Sequence, residues 1–265
     1  MDHAARPVTV DALNVRFGRK HILKDVSLKI EPGRLYAIVG PNGSGKTTLL
    51  NSILKTVDSS GGSVYLYGND NKRMGAKAIA RMVSAVPQST AIEFDFTVEE
   101  VVMMGRMPYL SRFRTESPDD FEIVDQSLRL ADVEWLRERL INRLSGGERQ
   151  RAVIARAICQ TTGLILMDEP VSSLDIHHQI SVLNTVRGLV QNSGVTVMLV
   201  LHDLNLAMQY SDEVVLMDDG RIVKTGAPEE VLTPGNIGGV YGIEVAVVDN
   251  PLSRRPYILA RFNSQ

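Results

Sequence analysis

Apolar residues alternate with polar ones through the first thirty positions: Val8, Val10, Leu13, Val15 and Phe17, then, past a polar turn, Ile22, Leu23, Val26, Leu28 and Ile30. A period near two predicts antiparallel strands that bury one face. Pro32-Gly33 turns the chain into Leu35-Tyr36-Ala37-Ile38-Val39, a continuous apolar run suited to a strand buried on both faces. Residues 47–55 read as a helix. Between Ser59-Ser60-Gly61-Gly62 and Gly68-Asn69-Asp70, the run Val64-Tyr65-Leu66-Tyr67 predicts a short strand that joins the first sheet. From about residue 90 the period lengthens. Thr97 and Glu100 have capping-box spacing ahead of Val98, Val101, Val102 and Met104, helical patterns continue over 121–140, and no strand pattern interrupts them. Strand character returns at Leu164-Ile165-Leu166-Met167, at 195–201 and at Val214-Val215-Leu216-Met217, with helices between, and this alternation predicts a parallel sheet. A tail over 244–260, turning at Asn250-Pro251, is expected at the outer end of that sheet.

Composition narrows the class. A chain of 265 residues, 44% apolar, can bury a substantial core without staples. Its single cysteine, Cys159, excludes an intramolecular disulfide and, beside Ala155 and Ile158, reads as a buried inert thiol. A net charge of −2 with interleaved signs argues against a nucleic-acid partner, and the pairs Arg112/Arg114 and Arg254-Arg255 are too short to change that. The opening Met1-Asp2-His3-Ala4-Ala5-Arg6-Pro7 lacks the apolar centre of a signal peptide, and no apolar run approaches the roughly 20 residues needed to cross a bilayer. Contact with a membrane is therefore expected through a protein partner or at the surface.

The candidate chemistry centres on phosphate. Gly40-Pro41-Asn42-Gly43-Ser44-Gly45-Lys46-Thr47 fits G-x-x-x-x-G-K-[ST] between a predicted buried strand and a predicted helix, the setting that motif requires. Its backbone N–H groups would converge on phosphate oxygens, Lys46 would reach the β- and γ-phosphates, and Thr47 would ligate Mg²⁺. Asp168 and Glu169 end an apolar strand. One carboxylate suits a water-mediated Mg²⁺ contact and the other a base for an attacking water. His202 and Gln88 also follow predicted strands and are candidate sensors of the γ-phosphate and the water. In Leu144-Ser145-Gly146-Gly147-Glu148, Ser145 and Glu148 have capping-box spacing, while two poor helix formers in the first turn leave backbone N–H groups open to an anion. His177-His178, adjacent on a helix, point to different faces and are not expected to chelate a metal as a pair.

Together these motifs resemble the ATPase subunits of ATP-binding-cassette (ABC) transporters, over about residues 8–248. The resemblance implies an α/β fold: a P-loop NTPase (RecA-like) core with an N-terminal antiparallel β subdomain and a helical insertion. It implies one ABC ATPase domain over 1–265, with the core and β subdomain in 1–89 and 161–265 and a helical subdomain carrying the signature in 90–160. Residues 40–48, ending at Thr48, become the Walker A loop, Gln88 the Q-loop glutamine and further Mg²⁺ ligand, and Glu169 the catalytic base. Ser145, Gly146, Gly147 and Glu148 become the signature that closes on ATP held by another copy, Asp175 belongs to the D-loop at that dimer contact, and His202 is the switch histidine. Phe17 takes the place of the adenine-stacking aromatic, with Phe for the commoner Tyr. ATP and Mg²⁺ are the implied cofactors. The implied partners are a second ABC ATPase subunit, as a homodimer, two integral membrane permease subunits and, indirectly, an external substrate-binding protein, at the cytoplasmic face of the membrane. The run Val101-Val102-Met103-Met104-Gly105-Arg106-Met107-Pro108-Tyr109-Leu110 and the run from Leu174 to Gln179 resemble the importer branch for ferric siderophores, haem or cobalamin. Met103, Met104, Met107, Tyr109 and Leu110 are the expected membrane-partner surface. The alternative is a soluble ABC-type ATPase of cofactor assembly.

Overall fold

The computed structural model describes residues 6–88, 95–110 and 116–261. The expected boundary at residues 89 and 90, the chain ends, Arg112 and Arg114 lie outside them. The chain divides into two compact units, Met1–Arg73 with Met198–Gln265, and Met74–Val197.

The first unit opens with β1 (Val8–Phe17), β2 (Lys20–Ile30) and β3 (Leu35–Val39), followed by α1 (Lys46–Ile53), β4 (Gly61–Leu66) and β5 (Asn69–Asp70). As the alternation predicts, β1 and β2 pair antiparallel, with Val8 opposite Ile30 and Val10 opposite Leu28. On its other edge β1 pairs with β4, Val10 facing Val64, giving the sheet order β2-β1-β4-β5. All five residues of β3 are buried, as its continuous apolar run requires.

The second unit contains α2 (Ala76–Ala80), β6 (Val83–Val86), α3 (Val98–Met103), α4 (Pro118–Leu130), α5 (Gly146–Cys159), β7 (Leu164–Met167) and α6 (Ile176–Ser193). The stretch expected to be a helical insertion falls inside it. Val101, Val102, Val124, Leu128, Leu136, Ile141, Ala152 and Cys159 form one buried cluster there. Burial pushes the Cys159 thiol up to about 11, so it is the inert thiol expected. Strands β6 and β7 pair in parallel, Val83 with Leu164 through Val86 with Met167.

Strand β8 (Thr196–Val200) straddles the division, and the chain continues through α7 (Leu204–Tyr210), β9 (Glu213–Asp218), β10 (Arg221–Gly226), α8 (Pro228–Val231), α9 (Pro234–Tyr241), β11 (Val245–Val248) and β12 (Tyr257–Ala260). Within the first unit the order runs β10-β9-β3-β8, with β3 and β9 parallel. Two details differ from expectation. β9 is followed by an antiparallel partner, β10, because Asp219 and Gly220 turn with φ of 40° and 78°, the conformation of a tight hairpin. The tail does not extend the parallel sheet: among the described residues, β11 and β12 pair only with each other. Asn205 holds this hairpin to α7, donating to the Ile258 carbonyl at 3.0 Å and accepting from its N–H at 2.7 Å.

A buried ion pair organises the second unit. Arg106 Nε donates to Asp120 Oδ1 at 2.9 Å, and Arg106 Nη1 donates to the Cys159 carbonyl at 2.9 Å and to Thr161 Oγ1 at 3.0 Å. Asp120 also accepts from the N–H and hydroxyl of Ser117, at 3.0 and 2.8 Å, capping α4. The Ser117 N–H and then Arg106 hold the Asp120 carboxyl down, from 3.8 to about 2. A carboxyl lowered on folding stabilises above its unfolded pKa, so this contribution is complete above about pH 4 and is lost as pH falls towards 2. Replacing Asp120 with Ala leaves Arg106 buried without its carboxylate and should cost on the order of 3 kcal/mol near pH 7. Urea unfolding at pH 7 and pH 3 should show the deficit shrinking at the lower pH.

Candidate functional site

In the first unit the P-loop follows β3 directly. Gly40, Gly43 and Gly45 have φ of 153°, 82° and 99°, and a Cβ on Gly40 would lie 2.1 Å from the Met217 carbonyl oxygen. No other residue can thread this close to β9 in that conformation. Helix α1 starts from left-handed Gly45 with no side-chain cap, so its N-terminus is open to an anion. Lys46, almost fully buried, folds back on the loop: Nζ donates to the Gly40 carbonyl at 2.8 Å and the Pro41 carbonyl at 2.9 Å. The Ser44 hydroxyl is buried with no hydrogen-bond partner among the described residues. A phosphate oxygen would satisfy it, so the loop fits a nucleotide phosphate chain. Asn42, Gly43 and Thr47 face solvent, and Thr48 is half-buried. Phe17, at the end of β1, is 54% exposed and free to stack. His202 is exposed two residues beyond β8. Tyr241, which sequence reasoning did not single out, closes α9 with its hydroxyl bonded to the backbone of Gly40, and burial pushes it up to about 12. Two hundred residues separate the two, so no local pattern announces the contact.

In the second unit β7 delivers Asp168 and Glu169. The Asp168 N–H bonds the Val86 carbonyl at 2.9 Å, continuing the β6–β7 ladder by one residue. Glu169 then takes φ 51°, a left-handed conformation that costs a non-glycine residue on the order of 1 kcal/mol. Gln88 Nε2 donates to Glu169 Oε2 at 2.7 Å, so these two expected site residues do meet. With its amide nitrogen on Glu169, Gln88 keeps its carbonyl oxygen as a ligand atom. Within this unit that oxygen and the Asp168 carboxylate are hard oxygen donors, the type Mg²⁺ takes.

The signature segment is capped as its spacing predicts. Glu148 N–H donates to Ser145 Oγ at 3.3 Å, and Ser145 N–H donates to Glu148 Oε2 at 2.8 Å. These Ser145 contacts hold the Glu148 carboxyl below the usual carboxylate range. Its two glycines have different reasons. Gly146 is exposed. Gly147 is buried, and a Cβ there would sit 2.0 Å from Cδ2 of His178. His178 is thus no idle surface residue. Its Nδ1 lies 2.9 Å from both oxygens of Asp175, and its N–H bonds Asp175 Oδ1 at 2.9 Å, capping α6. The His178 N–H is the main reason the Asp175 carboxyl lies below its ordinary value. The Asp-x-x-His spacing, N-cap to third helical residue, was the available signal. Gln179 Nε2 clamps the preceding turn through the Val171 and Leu174 carbonyls at 3.1 and 3.0 Å.

The methionine segment splits in two. Met103, Met104, Met107 and Leu110 line a groove of about 350 Å³ with Glu99, Glu100, Glu116 and Phe121. Tyr109 faces the protein instead: its ring lies 4.2 Å from the Arg106 guanidinium and its hydroxyl donates to the Gln160 carbonyl at 2.9 Å. Tyr109 is therefore a structural residue, and replacing it would disturb the fold.

The P-loop, the capped signature turn and the α/β topology define a nucleotide-binding cassette. The chain belongs to the ABC transporter family, whose model matches residues 23–172. It is 42% identical to the hemin import ATP-binding protein HmuV of Pseudomonas fluorescens, over 94% of this chain and 98% of that protein. It is 40% identical to the cobalamin import ATP-binding protein BtuD of Halobacterium salinarum over 91% of this chain, but spans only 60% of that longer relative. Among solved structures, a metal-chelate type ABC transporter in an inward-facing conformation superposes with a TM-score of 0.86 at 25% identity, covering 97% of this chain and 98% of that one. The expected family and fold are borne out. Among the described residues, no helix is long and apolar enough to cross a membrane.

The Gly147 contact is directly testable. Gly147→Ala should lower stability by about 1–3 kcal/mol through overpacking, and adding His178→Ala should restore most of it. Thermal unfolding of the single and double variants gives the answer; a neutral single variant would show that the packing tolerates a methyl group.

Proposed function

We propose that this chain is the ATP-hydrolysing subunit of an ABC importer that takes up a metal chelate, a ferric siderophore, haem or cobalamin, through separate membrane subunits. The observation that carries the reading is the near end-to-end similarity to a protein named for hemin import. The backbone of residues 40–48 holds the phosphates of ATP, Lys46 exchanges its loop carbonyls for the β- and γ-phosphates, and Phe17 stacks on adenine. Thr47, Gln88 and, through water, Asp168 would hold Mg²⁺, which would offset charge on the phosphates when bound. Glu169 takes the proton of the attacking water, Gln88 orients Glu169 through their hydrogen bond, and His202 contacts the γ-phosphate.

The working unit is a homodimer with a second ABC ATPase subunit, head to tail. Ser145, Gly146, Gly147 and Glu148 of one copy meet the γ-phosphate bound by the other, and Asp175 lies at the contact. ATP then has a differential affinity for the closed dimer that ADP lacks. Two integral membrane permease subunits carry the cargo delivered by an external binding protein, and hold this chain at the cytoplasmic face. The Met103, Met104, Met107 and Leu110 groove takes a short helix of the permease, a use suited to adaptable methionines.

Glu169→Gln should bind ATP, lose at least about 100-fold in turnover and run as an ATP-dependent dimer in gel filtration. Wild-type hydrolysis by that variant would remove Glu169 as the base. Met107→Asp with Leu110→Asp should keep ATP binding while abolishing co-purification with permease subunits from solubilised membranes. Capture of a soluble scaffold in place of permeases would favour cofactor assembly.

A further inference from the structure

The first turn of α6 gathers three metal-ligating side chains. One ligand atom from each of Asp175, His177 and His178 lies within 4.8 Å of the others. Neighbours on a helix leave it about 100° apart, so His177 and His178 do not chelate by themselves. The N-cap changes this. The Asp175 side chain doubles back over the turn to accept from the His178 N–H, which brings both its oxygens to 2.9 Å from His178 Nδ1. The two imidazoles stand edge to face with centroids 5.4 Å apart, so His177 flanks the same carboxylate. Asp175 and His177 are exposed, while His178 is half-buried with its ring set against Gly147. In the single subunit an ion would thus reach the site from solvent and find one imidazole already oriented.

The geometry points to a binding site for a divalent transition-metal ion, with the Asp175 carboxylate and one nitrogen each from His177 and His178 as ligands. An ion at about 2.0–2.2 Å from each donor needs the 2.9 Å pair to open by only a few tenths of an ångström. The exposed His177 completes the set by side-chain rotation. Two imidazoles and a carboxylate suit Zn²⁺, Ni²⁺ or Cu²⁺ and discriminate against Mg²⁺, which prefers an all-oxygen octahedron. The carboxylate also offsets the positive end of the helix, which would otherwise disfavour a cation. The site shares no residue with the Mg²⁺ ligands proposed for ATP, and its occupation does not require hydrolysis.

Isothermal titration of Zn²⁺ into the untagged full chain, with Mg²⁺ in millimolar excess, tests the site without an activity assay. One saturable site per chain is expected, with a dissociation constant on the order of 1–10 µM. His177→Ala and His178→Ala should each weaken it by about tenfold or more, with unchanged circular dichroism. Absence of saturable binding, or equal affinity in the double variant His177→Ala/His178→Ala, would overturn the assignment whether or not the chain proves to be an ATPase.

Discussion

A helix that receives an anion at its N-terminus cannot also commit its first N–H groups to its own side chains, and this chain meets that constraint in two ways. α1 begins at left-handed Gly45 with no side-chain cap, so its N-terminus is always available. α5 is closed by the reciprocal Ser145 and Glu148 bonds, the latter a carboxylate held in its charged form. In the proposed dimer, a phosphate arriving at α5 must share Ser145 and lie near a negative charge. The cap itself is worth about 1 kcal/mol. α1 is thus built to hold nucleotide in the single subunit. In the proposed dimer α5 would bind phosphate only when a partner presents it with enough further contact to offset that cost, which is the behaviour a reversible closure needs.

Crowding at Gly147 adds a second constraint. The His178 ring occupies the space of a side chain there, and His178 is tied to Asp175, so the start of α6 and the signature turn share one packed contact. Gln179 fixes the turn before Asp175 through two carbonyls. The turn between β7 and α6 therefore has little freedom of its own. Asp175 and Gly147 are thus joined through His178 by direct contact within a single unit.

Most of the strand and helix order could be read from periodicity, because buried faces impose it: all of β3 and β7 is buried, and the capping boxes at Thr97/Glu100 and Ser145/Glu148 coincide with helix starts. What escaped has physical causes. β10 is mostly exposed, so its alternation carries no hydrophobic signal, although Asp219-Gly220 was a hairpin turn in plain view. Extended segments do not encode their partners, so the final hairpin's separation from the parallel sheet leaves no mark in the pattern, and its tie to Asn205 is a long-range hydrogen bond. The site motifs were legible because phosphate chemistry fixes their spacing. The contacts of His178 and Tyr241 were less so, since packing against Gly147 and Gly40 depends on the tertiary fold.

The methionine segment shows how one short stretch can be rigid on one side and adaptable on the other. Arg106 is held by Asp120, Cys159 and Thr161, and Tyr109 by the Arg106 face and the Gln160 carbonyl, so the backbone between them is anchored to the end of α5. Gly105 permits this, since a Cβ there would lie 2.4 Å from the Arg156 carbonyl. With these residues turned inward, Met107 is left 66% exposed and Met103, Met104 and Leu110 line the groove beside Phe121. An apolar surface of flexible thioethers on an anchored backbone can adjust to a partner helix without loosening the subunit that carries it. Of the acidic residues that line it, Glu99 pairs with Arg137 at 3.4 Å and Glu100 caps α3 through Thr97, so much of that charge is met within the subunit and the apolar thioethers set what the groove can receive.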